Sequence, residues 1–152
     1  MAVGDILKEE GLHIETFDIQ ASEDIRKGEL VVDDATGIIA ATAALAAEGK
    51  VMMALEDHTY ADETVHTMQC VVIGYVEVIK IEGSGLARKG DKLMVSAIAG
   101  EVTKFVKAVV GSSFEQSAVQ ANLDLNLGVV GVAMKISTDA GVTQEMFLGV
   151  VG

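Results

Sequence analysis

A nucleophile and a base are the first things to seek, and one cysteine and three histidines narrow the search. Cys70 and His66 are the only pair that suggests a thiol beside an imidazole. On a strand over Val65–Ile81 they would share a face, but four residues at roughly 3.3 Å each put them about 13 Å apart. That is beyond hydrogen bonding, and a lone Cys serves equally as a small buried hydrophobe. Asp57-His58, Asp62-Glu63 and His66 gather acids and two imidazoles of the kind a divalent ion uses. Their spacing fits neither a zinc motif nor a calcium loop, so a solvated acidic loop is the better reading. His13 stands apart, with no partner the sequence can name. Gly83-Ser84-Gly85 followed by Arg88-Lys89-Gly90 could be imagined as a phosphate cradle. It lacks the order of a P-loop and no helix start follows it, whereas a pair of turns with Gly at positive φ accounts for it. The sequence therefore assigns no catalytic, cofactor-binding or metal-ligating residue. It predicts a protein that is not an enzyme and needs no cofactor.

What remains is the scaffold that would have carried such groups. Leu86–Val102 reads as a polar turn, a short apolar strand, a second turn and another strand. Ile25–Ile39 says nearly the same: both place Arg-Lys-Gly and an acid before an apolar run, then a Gly followed by hydrophobic residues. The later copy is longer by one residue between its glycines, most simply Lys92. Two copies predict a small β domain made by internal duplication, with weak repeats over 25–55 and 87–134 inside one domain, 25–152. Residues 1–24 precede it as an N-terminal arm, in which His13–Ile19 alternates with a phase break: one strand with a defect, or an extended arm. Ile38–Ala47 is Ala-rich and admits a short helix, although Ile38-Ile39 favour strand. Lys50–Leu55 reads as a strand and Glu56–Glu63 as a loop. Val65–Ile81 is the longest β signal, apolar on both faces, and so central; Val72, Gly74, Val76 and Val78 share phase with Cys70 and Met68. Phe114–Leu127 reads as an insertion with some helical spacing. Gly128–Met134 and Gln144–Val151 supply the last strands. Strands separated by turn signals, without regular strand–helix alternation, predict a mainly β fold. A small barrel or sandwich-like domain with one or two short helices fits.

Bulk composition narrows the function classes. A chain of 152 residues that is half hydrophobic can bury one real core. Aromatics are 4% with no Trp, which speaks against stacking on single-stranded nucleic acid. A formal charge of −12 speaks against phosphate contacts of any kind. The charge is uneven. Residues 1–34 carry ten acids and three bases, residues 35–79 six and one, and residues 80–152 seven of each. An acidic first half is either a solvated surface or a face for a basic partner. With a single Cys there is no intrachain disulfide. No secretory signal pattern is visible in Met1–Glu10. The longest weakly polar run, Thr36–Ala47, is well short of the roughly 20 residues that span a bilayer. A soluble protein without a membrane partner is expected.

One order of motifs goes further. Val72-Ile73-Gly74-Tyr75-Val76-Glu77-Val78 is followed by Ala87-Arg88-Lys89-Gly90-Asp91-Lys92-Leu93. Gly100-Glu101-Val102 comes next, and then Leu127-Gly128-Val129-Val130-Gly131-Val132-Ala133-Met134. This series resembles the capsid cement, or head-decoration, proteins of tailed phages and related prokaryotic viruses. The likeness covers residues 65–150, with 25–55 as a weaker first copy. The acidic first 24 residues and the Phe114–Asn126 insertion depart from the pattern. The resemblance implies a β domain that binds the outside of an assembled capsid and stabilises it. It further implies the major capsid protein as partner, a homotrimer as the favoured oligomer, and a place on the virion exterior after synthesis in the host cytoplasm. The extended arm could add a strand to a neighbour's sheet. A non-viral β-barrel binding or assembly module is the alternative, and a metal-dependent enzyme built on Asp57–His66 a more distant one.

Overall fold

Apolar runs of three to six residues, cut by turns, are too short to bury themselves and must pair. The computed structural model, which describes residues 3–81, 83, 85–106 and 129–149, has them in one sheet. The strands are β1 (Ile6–Asp18), β2 (Leu30–Asp33), β3 (Ile38–Ala40), β4 (Val51–Ala54), β5 (Thr67–Ile79), β6 (Lys92–Val95), β7 (Val102–Lys104), β8 (Val129–Ala133) and β9 (Thr143–Leu148). Among the described residues one helix, α1 (Ala43–Glu48), interrupts them. The sheet is antiparallel, open and curled into half a barrel, in line with the mainly β reading. Both readings of Ile38–Ala47 are realised in succession, as β3 and then α1. Thr42 caps the helix by accepting the Leu45 N–H at 3.3 Å, and the Gly49 N–H closes its last turn on the Leu45 carbonyl at 2.9 Å. The Phe114–Leu127 insertion lies outside the described residues. No described helix is long and apolar enough to cross a membrane.

The strand order is β3-β2-β4-β5-β9-β8-β6-β7. It is palindromic once the duplication is taken into account, because β6, β7, β8 and β9 repeat β2, β3, β4 and β5. Hydrogen bonds show the repeat in detail. In the first turn the Arg26 N–H donates to Glu29 Oε2 and in the second the Arg88 N–H donates to Asp91 Oδ2, both at 2.8 Å. Gly28 N–H reaches the Ala54 carbonyl at 2.8 Å, and Gly90 N–H reaches that of Ala133 at 2.7 Å. Antiparallel bridges Ile25–His58 and Ala87–Ser137 close the two units alike. An acid that accepts its own turn's amide, and a glycine at φ 84° or 93°, are local requirements, so they left the Arg-Lys-Gly-acid signature in both copies.

Pairing also corrects the account of Lys92. Lys92 lies opposite Val132 as Leu30 lies opposite Met53, so it is not an inserted residue. The added length falls in the next turn, where residues 96–101 join β6 to β7 while 34–37 join β2 to β3. That longer turn folds across the seam: the Leu30 N–H donates to the Gly100 carbonyl and the Gly100 N–H to that of Ala41.

β5 is the corner of the fold. It pairs with β4 at Val71 and Cys70 and with β9 from Gly74 to Ile79, while β1 runs along it from Thr67 to Val76. A residue has only two edges, so β4 and β9 share one edge of β5 in succession and β1 takes the other. The even-numbered phase expected to be continuous is split. Met68, Cys70 and Val72 belong to one apolar cluster with Ile25, Val31 and Ile38. Val76 and Val78 join Val71 in the central cluster, packed with Leu30, Met53, Leu93 and Met146. β5 thus changes face between Val72 and Val76, which lets one strand serve both layers of the curled sheet.

Of the two sequence readings of the N-terminal segment, a strand with a defect is the one found. β1 pairs with the chain's own β5, and the five steps from Lys8 to His13 are accommodated against the two from Tyr75 to Ile73. The excess bulges outward, and Leu12 seats its side chain over Gly74, where a Cβ would come within 2.9 Å of Leu12 Cδ1. Lys8 Nζ caps the Tyr75 ring at 4.8 Å.

Candidate binding surfaces

The residues that could have done chemistry are placed where they cannot react or are already engaged. Cys70 is 0% exposed, and burial, followed by the nearby Glu56 carboxylate, pushes its thiol up to about 12. A thiolate is the nucleophile, so this thiol is inert at neutral pH. His66 turns from Cys70 to His58, whose Nε2 lies 3.1 Å from His66 Nδ1. Glu63 takes the other nitrogen of His58, Nδ1. If His58 is neutral with the proton on Nδ1, its Nε2 accepts from His66 Nδ1–H. Tyr60 stacks on His66 with ring centroids 3.7 Å apart. The acidic loop is therefore partly gathered, with Glu63, His58, His66 and Tyr60 in one cluster. Asp57 is drawn off to accept the Lys27 N–H at 2.8 Å, and among the described residues no group of three or more His, Cys, Asp or Glu is set to hold a metal. His58 is 3% exposed and occupies the position that Ser137 holds in the second half, so the cluster pins the loop after β4 to the first Arg-Lys-Gly turn. Its role in the fold is that of an anchor.

The imagined phosphate cradle is filled from within. Gly83 N–H donates to the Asp139 carbonyl at 2.8 Å and Gly85 N–H to Asp139 Oδ1 at 2.6 Å, while Ser84 lies outside the described residues. His13 pairs with Glu15 across 3.0 Å on the exposed face of β1. The Arg-Lys-Gly turns differ only in surroundings. Burial raises the Glu29 carboxyl above the ordinary carboxylate range, against the pull of Arg26. The bond from the Arg88 N–H and the ammonium of Lys104 hold Asp91 below it.

Surfaces are left as the candidates for function, and three stand out. The first is the outer edge of β1, thirteen residues long, to which no described strand is paired. An open edge can accept another chain's strand, although its bulge and its Glu9, Glu10, Glu15 and Asp18 are also the means by which sheets discourage such pairing. The second is a cleft of about 600 Å³ between the halves, where Ile98 and Val142, both about half exposed, meet Ile79, Ile81 and the first turn's Arg26 and Lys27. The third is a smaller cleft of about 400 Å³ at the β8–β9 connection, which includes Glu77, Glu145 and the exposed Ile136. Sequence reasoning missed the last two, since each is assembled from segments far apart in the chain. Two of the exposed large apolar residues, Leu86 and Ile136, flank the Ala87–Ser137 bridge, in the half of the chain that carries no net charge.

No protein-family model matches the chain, and no curated protein matches it. Among solved structures it is similar to the N base of the head fiber protein gp8.5 of bacteriophage phi29. The sequence identity is 14% and the TM-score 0.51, over 90% of this chain and 95% of that one. At that identity the likeness is one of fold.

Proposed function

We propose that this chain is a structural protein of a phage head, bound to the outer surface of the assembled capsid and stabilising it by binding alone. The observation that carries the reading is the fold it has in common with a head fiber base over nearly the full length of both chains. The motif order along residues 65–150 supports the same class, as does a thiol too buried to act as a nucleophile. A ligand that binds the assembled shell and not its dispersed subunits shifts the equilibrium toward the shell by mass action. Many symmetric copies multiply modest contacts. The partner is the major capsid protein, a homotrimer is the favoured form, and the virion exterior is the location. The apolar loops of the uncharged second half face the shell, while the acidic first half keeps free copies soluble. Mixing the purified protein with undecorated capsids of the virus that encodes it tests the reading. Saturable binding at a fixed number of copies per capsid is expected; no saturable binding would reject it.

A further inference from the structure

The smaller cleft carries an arrangement that the fold does not explain. Glu77 on β5 and Glu145 on β9 are direct cross-strand partners, and both line the cleft. Like charges placed opposite each other destabilise a sheet, and an apolar or neutral pair would serve the fold better. Glu77 is only 7% exposed, and its Oε2 has neither solvent nor a hydrogen-bond partner. Buried carboxylate oxygens are ordinarily satisfied, so an orphan on a residue that lines a cleft is a group that a donor from outside would satisfy once the carboxyl turns into the cleft. No cation of the described residues supplies it: Lys8, which pairs with Tyr75 on the same face of β5, lays its ammonium over the Tyr75 ring at 4.8 Å. Lys135 is exposed on the rim without an ion pair among the described residues. Lys80, buried at 2% exposure, spends its ammonium on the carbonyls of Thr138 at 2.9 Å and Gly141 at 3.4 Å.

We propose that this cleft receives the guanidinium of an arginine side chain from a binding partner, with Glu77 and Glu145 as its two acceptors. Carboxylates on directly paired strands stand near the spacing of neighbouring Cβ atoms, about 5 Å, and a planar fork with five N–H donors can bond both at once and still donate to a further acceptor in the cleft. A cleft of about 400 Å³ is far larger than a bare ion needs. Ile136, 59% exposed, and Thr143 offer a wall for the aliphatic stem. A divalent ion is the poorer fit, because only two carboxylates converge and the Thr138 and Gly141 carbonyls are already taken by Lys80. The site deepens the reading as a capsid-binding protein by naming the partner's anchoring chemistry, but its chemistry can be tested without any capsid.

The test is a titration of the full-length protein with ethylguanidinium chloride, followed through the side-chain carboxyl carbons of labelled glutamates. Sodium chloride at equal ionic strength and calcium chloride are run as controls. Saturable shifts at Glu77 and Glu145 are expected, weakened at least tenfold in Glu77→Gln and in the more exposed Glu145→Gln. Glu77→Gln is also expected to raise the melting temperature of the free protein, since it removes a charge with no partner, so loss of binding and gain of stability go together. Shifts that do not saturate, or that persist unchanged in both variants, would overturn the proposal. Calcium saturating the two glutamates at a lower concentration than ethylguanidinium would replace it with a metal site. If capsid binding fails while the guanidinium response holds, the site stands and the shell is the wrong partner.

Discussion

The duplicated turns provide an internal control that few folds offer. Gly28 and Gly90 occupy the same place in the two copies, with φ of 84° and 93° and equivalent amide bonds to the last residues of β4 and β8. An alanine in either must adopt a left-handed conformation, at a cost of about 1–2 kcal/mol. Their surroundings differ. A Cβ at Gly90 meets nothing within 4 Å, whereas one at Gly28 falls 1.9 Å from Val3 Cγ1 and 2.9 Å from the Gly4 nitrogen. Relief there requires the chain before β1 to lift, which breaks the bond of 2.7 Å from the Gly4 N–H to the Glu77 carbonyl. A backbone bond and its packing add about 1–2 kcal/mol. Gly90→Ala is therefore expected to lose about 1–2 kcal/mol and Gly28→Ala about 2–4, measured as urea unfolding midpoints at constant slope. Equal losses, or a larger loss at Gly90, would refute the equivalence of the two turns or the seating of residues 3–5 against the first.

Three other outcomes follow from single contacts. Gly74→Val displaces Leu12 from its seat on β5; a loss of about 1–3 kcal/mol is expected, with faster proteolysis between residues 6 and 18 than elsewhere. Glu29 and Asp91 should oppose each other in pH dependence. A raised carboxyl lends stability at low pH that is lost as pH climbs through its folded value, so Glu29→Gln gains relative to the parent as pH rises above 4.5. A lowered carboxyl lends stability present above its unfolded value of 3.8 and lost as pH falls, so the deficit of Asp91→Asn grows with pH; melting curves from pH 3 to 7 read both signs. Cys70, with its thiol pushed up to about 12 and no exposure, should resist iodoacetamide in the native protein and react readily in urea; prompt labelling without denaturant would contradict its burial.

The duplication was legible because its mark is local: a glycine that must take positive φ and an acid that caps its own turn leave type and spacing in the chain. The rest of the repeat was not. β5 and β9 correspond through their pairing to β4 and β8, yet Cys70 and Met146 share nothing but apolarity, so no spacing announces them. Period-two reading placed the longest strand at the centre and still misassigned half of one face, because β5 changes layers between Val72 and Val76. The break in phase between Ile14 and the Phe17–Ile19 pair pointed to an irregular strand, but Ile14 to Asp18 pair without a shift and the irregularities fall before Ile14. What it could not reveal is that the excess residues bulge over a glycine on a strand some sixty positions later. The candidate sites follow the same rule. The acidic loop was visible as a cluster because its residues are close in sequence. Asp139 filling the amides of Gly83 and Gly85, and Glu77 facing Glu145, depend on register between distant strands, which one-dimensional spacing does not carry.

The function proposed for this β body is to prefer an assembled shell to its parts. The most direct measurement compares binding of the purified protein to empty capsids and to dissociated major capsid subunits, then heats decorated and bare capsids to rupture. Saturation of the capsids, little binding to free subunits and a higher rupture temperature when decorated are expected. Equal affinity for free subunits and capsids, or an unchanged rupture temperature at full occupancy, would contradict the account.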